Sequence, residues 1–152
     1  MKIVILGAGR IGSSLARNLS NSNYEVCIVD ENKNKLSELE DKLDIMTVEG
    51  SASHLNTLKK SGLDKDTIVL AVTSNDEVNI VACQIAKKAF DVKKTICRFR
   101  DNSYFGKLDI FGEGVIDIPI SPEDEITSHL KELIDHPGAN QLKLFLHSPI
   151  KI

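Results

Sequence analysis

The segment Lys2-Ile3-Val4-Ile5-Leu6-Gly7-Ala8-Gly9-Arg10-Ile11-Gly12 decides the fold. Its first five residues form an apolar run with branched side chains at Ile3, Val4 and Ile5, a composition that suits a strand. A strand apolar on both faces has to be covered on both, as in the middle of a parallel sheet. Gly7 to Gly12 fits G-x-G-x-x-G, and Ile11, Leu15, Ala16 and Leu19 recur behind it at helical spacing. Three glycines alone are a weak signal. Here they follow a strand, open a helix, and lead to a second apolar strand, Glu25 to Asp30. That strand ends in an acid at about the 20-residue distance expected of a dinucleotide-binding unit.

Each part has a physical task. Gly7 permits the sharp turn, Gly9 lets the backbone approach a pyrophosphate, and Gly12 lets the helix lie close on the strand. The exposed N–H groups at the helix start, at the positive end of its dipole, make an anion site. Asp30 is suited to accept hydrogen bonds from an adenosine ribose. It would repel a 2′-phosphate, which favours NAD over NADP.

The rest of the chain continues the alternation. A polar helix from about Asn32 to Lys42 carries Leu36, Leu39 and Leu43, and Asp44 to Glu49 reads as a third strand. Gly50-Ser51-Ala52 breaks it, and Ser53 is placed to cap a short helix holding Leu55 and Leu58. Gly62 ends that helix, and Thr67 to Val72 is a fourth strand. Ser74 and Glu77 have capping-box spacing. The helix behind them sets Val78, Val81, Ala82, Ile85, Ala86, Ala89 and Phe90 on one face. Lys94 to Phe99 is a fifth strand, Asn102 to Phe111 a helix, and Val115 to Ile118 a sixth strand.

Six strands alternating with helices predict an α/β, doubly wound parallel sheet of the Rossmann type, in strand order 3-2-1-4-5-6. Ligands of such sheets bind at the carboxyl ends, where strands 1 and 4 diverge. That places Gly7, Ala8, Gly9, Arg10, Ile11, Gly12, Asp30, Gly50, Ser51, Ala52, Thr73, Ser74 and Arg98 at the candidate site. Arg98, near the end of the fifth strand, needs an anionic partner there: a ligand phosphate or a carboxylate such as Asp117. Arg10 either lies over the phosphates or faces solvent or a dimer partner.

Residues 1–120 read as the nucleotide-binding domain and 121–152 as a helix–strand extension. Ser121-Pro122-Glu123-Asp124 starts that helix. Ile126, Leu130, Leu133 and Ile134 form its stripe, Pro137-Gly138 ends it, and Gln141 to Leu146 is a strand. The stripe packs either on the chain's own sheet or on a partner. A new apolar pattern begins at Ile150-Lys151-Ile152, as expected of a fragment of a longer protein.

Composition bounds the function. At 152 residues and 41% hydrophobic content, one core is expected. A net charge of −3 gives no electrostatic footprint for nucleic acid. No apolar run approaches the ~20 residues that span a bilayer. Because the first residues enter a strand at once, no signal peptide is expected. Cys27, Cys83 and Cys97 are odd in number and set among apolar residues. They read as small buried hydrophobes in a reducing cytosol, not as a disulfide or metal site. His54, His129, His136 and His147 have no catalytic or ligand spacing and read as surface or capping residues. The Rossmann unit and its extension consume the chain, which leaves no room for a substrate pocket beside a nicotinamide.

Several stretches together resemble the RCK/KTN N-terminal domain over nearly the whole chain. They are Met1 to Gly12, Val29-Asp30, Gly50 to Ser53, Ala71 to Asn79, Arg98-Phe99-Arg100 and Pro137-Gly138-Ala139. The resemblance implies a domain that binds NAD(H), and in this family also ATP or ADP, without oxidising or reducing anything. It implies a cytoplasmic homo-dimer or larger ring at the inner face of the cell membrane. There it would gate a membrane potassium-transporting subunit of the TrkH/TrkG type. By motif, Gly7 to Ile11 would hold the pyrophosphate, Asp30 the adenosine ribose, Thr73 and Ser74 the second ribose, and Arg98 the phosphates. The C-terminal ligand-binding lobe usual in the family is not part of these residues. The alternative is an NAD-dependent oxidoreductase fragment without its substrate domain.

Overall fold

A computed structural model describes residues 1–22 and 24–125. β1 (Lys2–Leu6), the quoted strand, pairs in parallel with β2 (Glu25–Asp30) on one side, while β3 (Met46–Glu49) extends the sheet beyond β2. On its other side β1 pairs with β4 (Thr67–Ala71), followed by β5 (Lys94–Arg98) and β6 (Ile118–Ile120). The sheet is six-stranded and parallel in the order β3-β2-β1-β4-β5-β6, as expected. α1 (Arg10–Ser20), α2 (Lys33–Lys42), α3 (Leu55–Lys60) and α4 (Asp76–Phe90) make the connections.

Burial explains why β1 is central. Val4, Ile5 and Leu6 are completely buried, as are Ile28 and Val29 beside them. Each such side chain contributes about 1.5–3 kcal/mol relative to exposure. One contact is tighter than any side chain allows: a Cβ on Gly12 would lie 1.7 Å from the Gly7 carbonyl oxygen. Gly7 itself has φ +110°, and a Cβ there would press on the Thr73 backbone at 3.0 Å.

Several sequence expectations are corrected. Asn75, not Ser74, caps α4, with its side chain accepting from the Val78 amide at 3.0 Å. The asparagine carbonyl reaches that donor from a position one residue nearer the helix. The buried face of α4 is Asn79, Ile80, Ala82, Cys83 and Ala86, whereas Val81 and Ala89 are exposed. Val78, Ala82, Ile85, Ala86 and Phe90 of the expected face do meet the core, and the inward face is turned slightly so that Asn79, Ile80 and Cys83 join them in place of Val81 and Ala89. His54 precedes α3 where Ser53 was expected; Ser53 instead bonds Ser51. Asn102 to Phe111 is not one helix but two 3-10 turns, Asn102–Tyr104 and Leu108–Phe111. Gly106, at φ +81°, separates them. They pack an aromatic group in which Phe99 meets Tyr104 at 5.3 Å and Phe105 at 5.9 Å. β6 begins at Ile118, because Val115 and Ile116 enter the core and Asp117 turns back onto β5.

Asp117 fastens that edge. Its carboxylate accepts from the Thr95 amide at 2.8 Å and meets Lys87 Nζ at 2.8 Å. Burial would push this carboxyl up, but the Lys87 ammonium and the Thr95 donors outweigh it and hold it below the usual carboxylate range.

The chain divides into two compact units, Met1–Pro119 and Ile120–Ile152. In the second, the Glu125 amide donates to the Ser121 carbonyl at 3.1 Å, the first turn of the expected helix. The stripe of Ile126, Leu130, Leu133 and Ile134 and the strand at 141–146 lie outside the described residues.

Two outcomes test these contacts. Gly12→Ala should cost about 3 kcal/mol or more in denaturant unfolding, because neither backbone segment can yield; an unchanged midpoint would refute the close approach. Asp117→Asn should cost less than about 1 kcal/mol near neutral pH, since the pair is partly exposed. The folded-state carboxyl titrates below the unfolded one. Its contribution is therefore present above the unfolded pKa and is lost as pH falls through the folded value. A difference between variant and wild type that stays constant into acid would contradict this.

Candidate functional site

The carboxyl ends of β3, β2, β1, β4 and β5 bring the expected residues into one row. Asp30 closes β2 and turns onto the glycine loop. Its Oδ2 accepts from the Ala8 amide at 2.7 Å and its Oδ1 from the Asn32 amide at 2.7 Å. The acid and the loop are thus one unit, locked before any ligand arrives. The Ala8 amide is consequently occupied, and the donors left at the loop are the first amides of α1. No side chain caps that helix: Gly9 stands at the N-cap position with extended backbone. Ser13 supports the turn from behind, donating from its hydroxyl to the Ala8 carbonyl at 2.9 Å.

Space agrees with this division of labour. A Cβ on Gly9 would meet nothing within 4 Å, and Gly9 and Arg10 are exposed, while Ile11 and Gly12 are buried. Arg10 borders a groove of about 340 Å³ between α1 and α2, together with Arg17, Lys35, Lys42 and Glu38. Asp30 borders a second hollow of about 510 Å³, together with Asn32 and Glu49.

On the far side of the loop, Thr73 is half-buried and Ser74 exposed. Arg98 is only 9% exposed, and its Nη1 donates to the Val72 and Thr73 carbonyls, each at 3.3 Å. Asp117, the carboxylate considered for it in the sequence, is engaged by Lys87 and Thr95. Ser51 is half-buried and bonded to Ser53, and Ala52 sits in the core.

Two polar residues lie in the Ala71 to Asn79 stretch that carries the family resemblance but were given no role from the sequence. Asn79 is fully buried in α4 and bonds both Thr73 and Arg98. Asp76 accepts from the Arg100 and Asp101 amides at 2.9 and 3.0 Å. A signal for Asn79 existed: an amide placed among Ile80, Ala82 and Cys83 on a helix otherwise packed into a core needs built-in partners.

The cysteines are buried. Burial pushes the Cys27 thiol up to about 11, and the Cys83 hydrogen bond with burial pushes Cys97 up. Neither is poised as a nucleophile. Among the described residues, no group of His, Cys, Asp and Glu is gathered to hold a metal, and no helix is long and apolar enough to cross a membrane.

A parallel sheet in this order with an uncapped glycine-loop helix and an acid at the end of β2 defines a dinucleotide-binding-type domain. The TrkA-N domain model matches residues 3–122, and the chain belongs to that family. It is 42% identical over 147 residues to the Trk system potassium uptake protein TrkA of Halomonas elongata, covering 95% of this chain and 32% of that protein. It is 39% identical over 155 residues to TrkA of Vibrio alginolyticus, covering all of this chain and 34% of that one. The chain thus spans about a third of the length of these curated relatives. In fold it is similar to the TrkA-N domain of the inner membrane protein ybaL from Escherichia coli. There the TM-score is 0.73 at 19% identity, over 88% of this chain and 96% of that one. It also resembles the GsuK channel bound to NAD, with TM-score 0.67 at 19% identity over 85% and 22% of the chains.

Removing the Asp30 carboxylate should free the loop. In Asp30→Ala the Ala8 amide should exchange its hydrogen about tenfold faster or more, the loss of a charged hydrogen bond. Unchanged exchange would show that another group protects it.

Proposed function

We propose that this chain is the nucleotide-sensing module of a regulatory subunit of a potassium uptake system. It binds NAD(H), and also ATP or ADP, across the carboxyl ends of β2, β1 and β4, and its occupancy gates a membrane potassium-transporting subunit. The observation that carries this is the open, uncapped start of α1 at Gly9, with Asp30 fixed beside it. The uncapped first amides of α1 and the helix dipole favour a pyrophosphate. The lone pairs that the two backbone donors leave free on Asp30 favour ribose hydroxyls and disfavour a 2′-phosphate. The potassium-uptake relatives and the NAD-bound channel support the same function.

In this reading the nucleotide acts as a signal, as the potassium-uptake relatives suggest. A bound nucleotide can shift a paired assembly only by the difference between its affinities for two arrangements. A coupling of about 1–3 kcal/mol suffices for a 5- to 150-fold response. The module works in the cytoplasm, at the inner face of the membrane, as a homo-dimer or larger ring.

Calorimetry with NADH tests the site. Gly9→Val should abolish binding while melting with the wild type, because its backbone and surroundings accept a side chain. Asp30→Ala should weaken NADH by about 1.5–3 kcal/mol. Normal binding by Gly9→Val would remove the loop from the site. Steady consumption of NADH with a simple carbonyl substrate, followed by absorbance, would replace the sensor with an oxidoreductase.

A further inference from the structure

The side-chain amide of Asn79 has two acceptor lone pairs and two N–H donors, and all four are used. Oδ1 accepts from the Thr73 backbone amide at 3.0 Å and from the Thr73 hydroxyl at 2.6 Å. Nδ2 donates to the Thr73 carbonyl at 3.1 Å and to the Arg98 carbonyl at 3.0 Å. One rigid, completely buried group on α4 therefore holds both the loop after β4 and the end of β5. One turn earlier, Asp76 grips the next residues of the second loop through the Arg100 and Asp101 amides. Arg98 closes the ring by donating to the Val72 and Thr73 carbonyls. A buried amide satisfied at all four positions is rigid, and the segments it joins loosen together when it is removed.

We propose that Asn79 is a positioning residue that joins the Thr73–Ser74 loop and the Arg98–Asp101 segment into a single jaw. The jaw receives the half of a dinucleotide that lies beyond the pyrophosphate. This rests on the nucleotide function proposed above and extends it to a division of the site. The adenosine half depends on Asp30 and the glycine loop, which are organised by the Asp30–Ala8 bond. The second half depends on Asn79, whose four bonds go only to Thr73 and Arg98. The replacements nearest in size or function do not reproduce it: aspartate lacks the donors, leucine lacks both functions, and glutamine would carry its amide one methylene too far.

The test compares NADH with AMP, which lacks the second half, by calorimetry on the full chain. Asn79→Ala should raise the Kd for NADH about tenfold, the scale of a lost buried hydrogen bond. It should leave the Kd for AMP within about twofold, a difference small beside a single hydrogen bond. Equal weakening of both ligands would make Asn79 a support of the fold alone and overturn the proposal, as would an unchanged NADH affinity. Should Asn79→Ala not fold, hydrogen exchange on the wild type decides. NADH, and not AMP, should slow exchange in residues 72–76 and 98–102 together. Protection of 72–76 alone would overturn the jaw. A wild type that binds neither nucleotide would refute the proposed function itself, and the jaw with it.

Discussion

The approach of α1 to the Gly7 carbonyl is the constraint on which the rest of the structure depends. With no side chain at Gly12, the helix start lies against the end of β1, and its first amides emerge beside the loop. Move the helix outward by the width of a methyl group and those amides would no longer face the place where Asp30 and Thr73 converge. The sheet order follows from the same strand. β1 is buried on both faces, so chain must cover it on both sides, and right-handed crossovers then leave a crevice between β1 and β4.

Around that constraint the protein stiffens the site in two separate ways. On one side a charged group is held by backbone: Asp30 takes the Ala8 and Asn32 amides. On the other a neutral group holds backbone: Asn79 takes Thr73 and Arg98. Both devices pay in advance for order that a ligand would otherwise have to impose. A sensor benefits because binding free energy is then available to shift an assembly instead of freezing loops.

The edge of the sheet beyond β5 is built differently. Thr95 and Lys87 capture Asp117, and the aromatic rings of Phe99, Tyr104, Phe105 and Phe111 fill the space that a regular helix was expected to cover. Gly106 breaks the chain direction between the two turns, which lets Tyr104 and Phe111 approach to 5.3 Å. The segment after Arg98 is thus anchored at both ends, by Asp76 at its start and by Asp117 at its close.

By itself the sequence determined the alternation of strands and helices, the glycine turn and the acid at the end of the second strand. Those depend on local geometry and on apolar runs, which are written residue by residue. It also determined that Asp30, Thr73 and Arg98 would share one edge, because strand ends in a doubly wound sheet have fixed neighbours. Only the tertiary structure decided that Asn79 and Ile80 belong to the inward face of α4, that Asn75 supplies the cap, and that Asp30 already holds the Ala8 amide. The rotation of α4 and the Asp30–Ala8 bond turn on partners distant in the chain, and the choice between Ser74 and Asn75 as cap turns on backbone geometry that the spacing does not record. Asn79 meets Arg98 only because β5 lies beside β4, and no spacing along the chain records that contact.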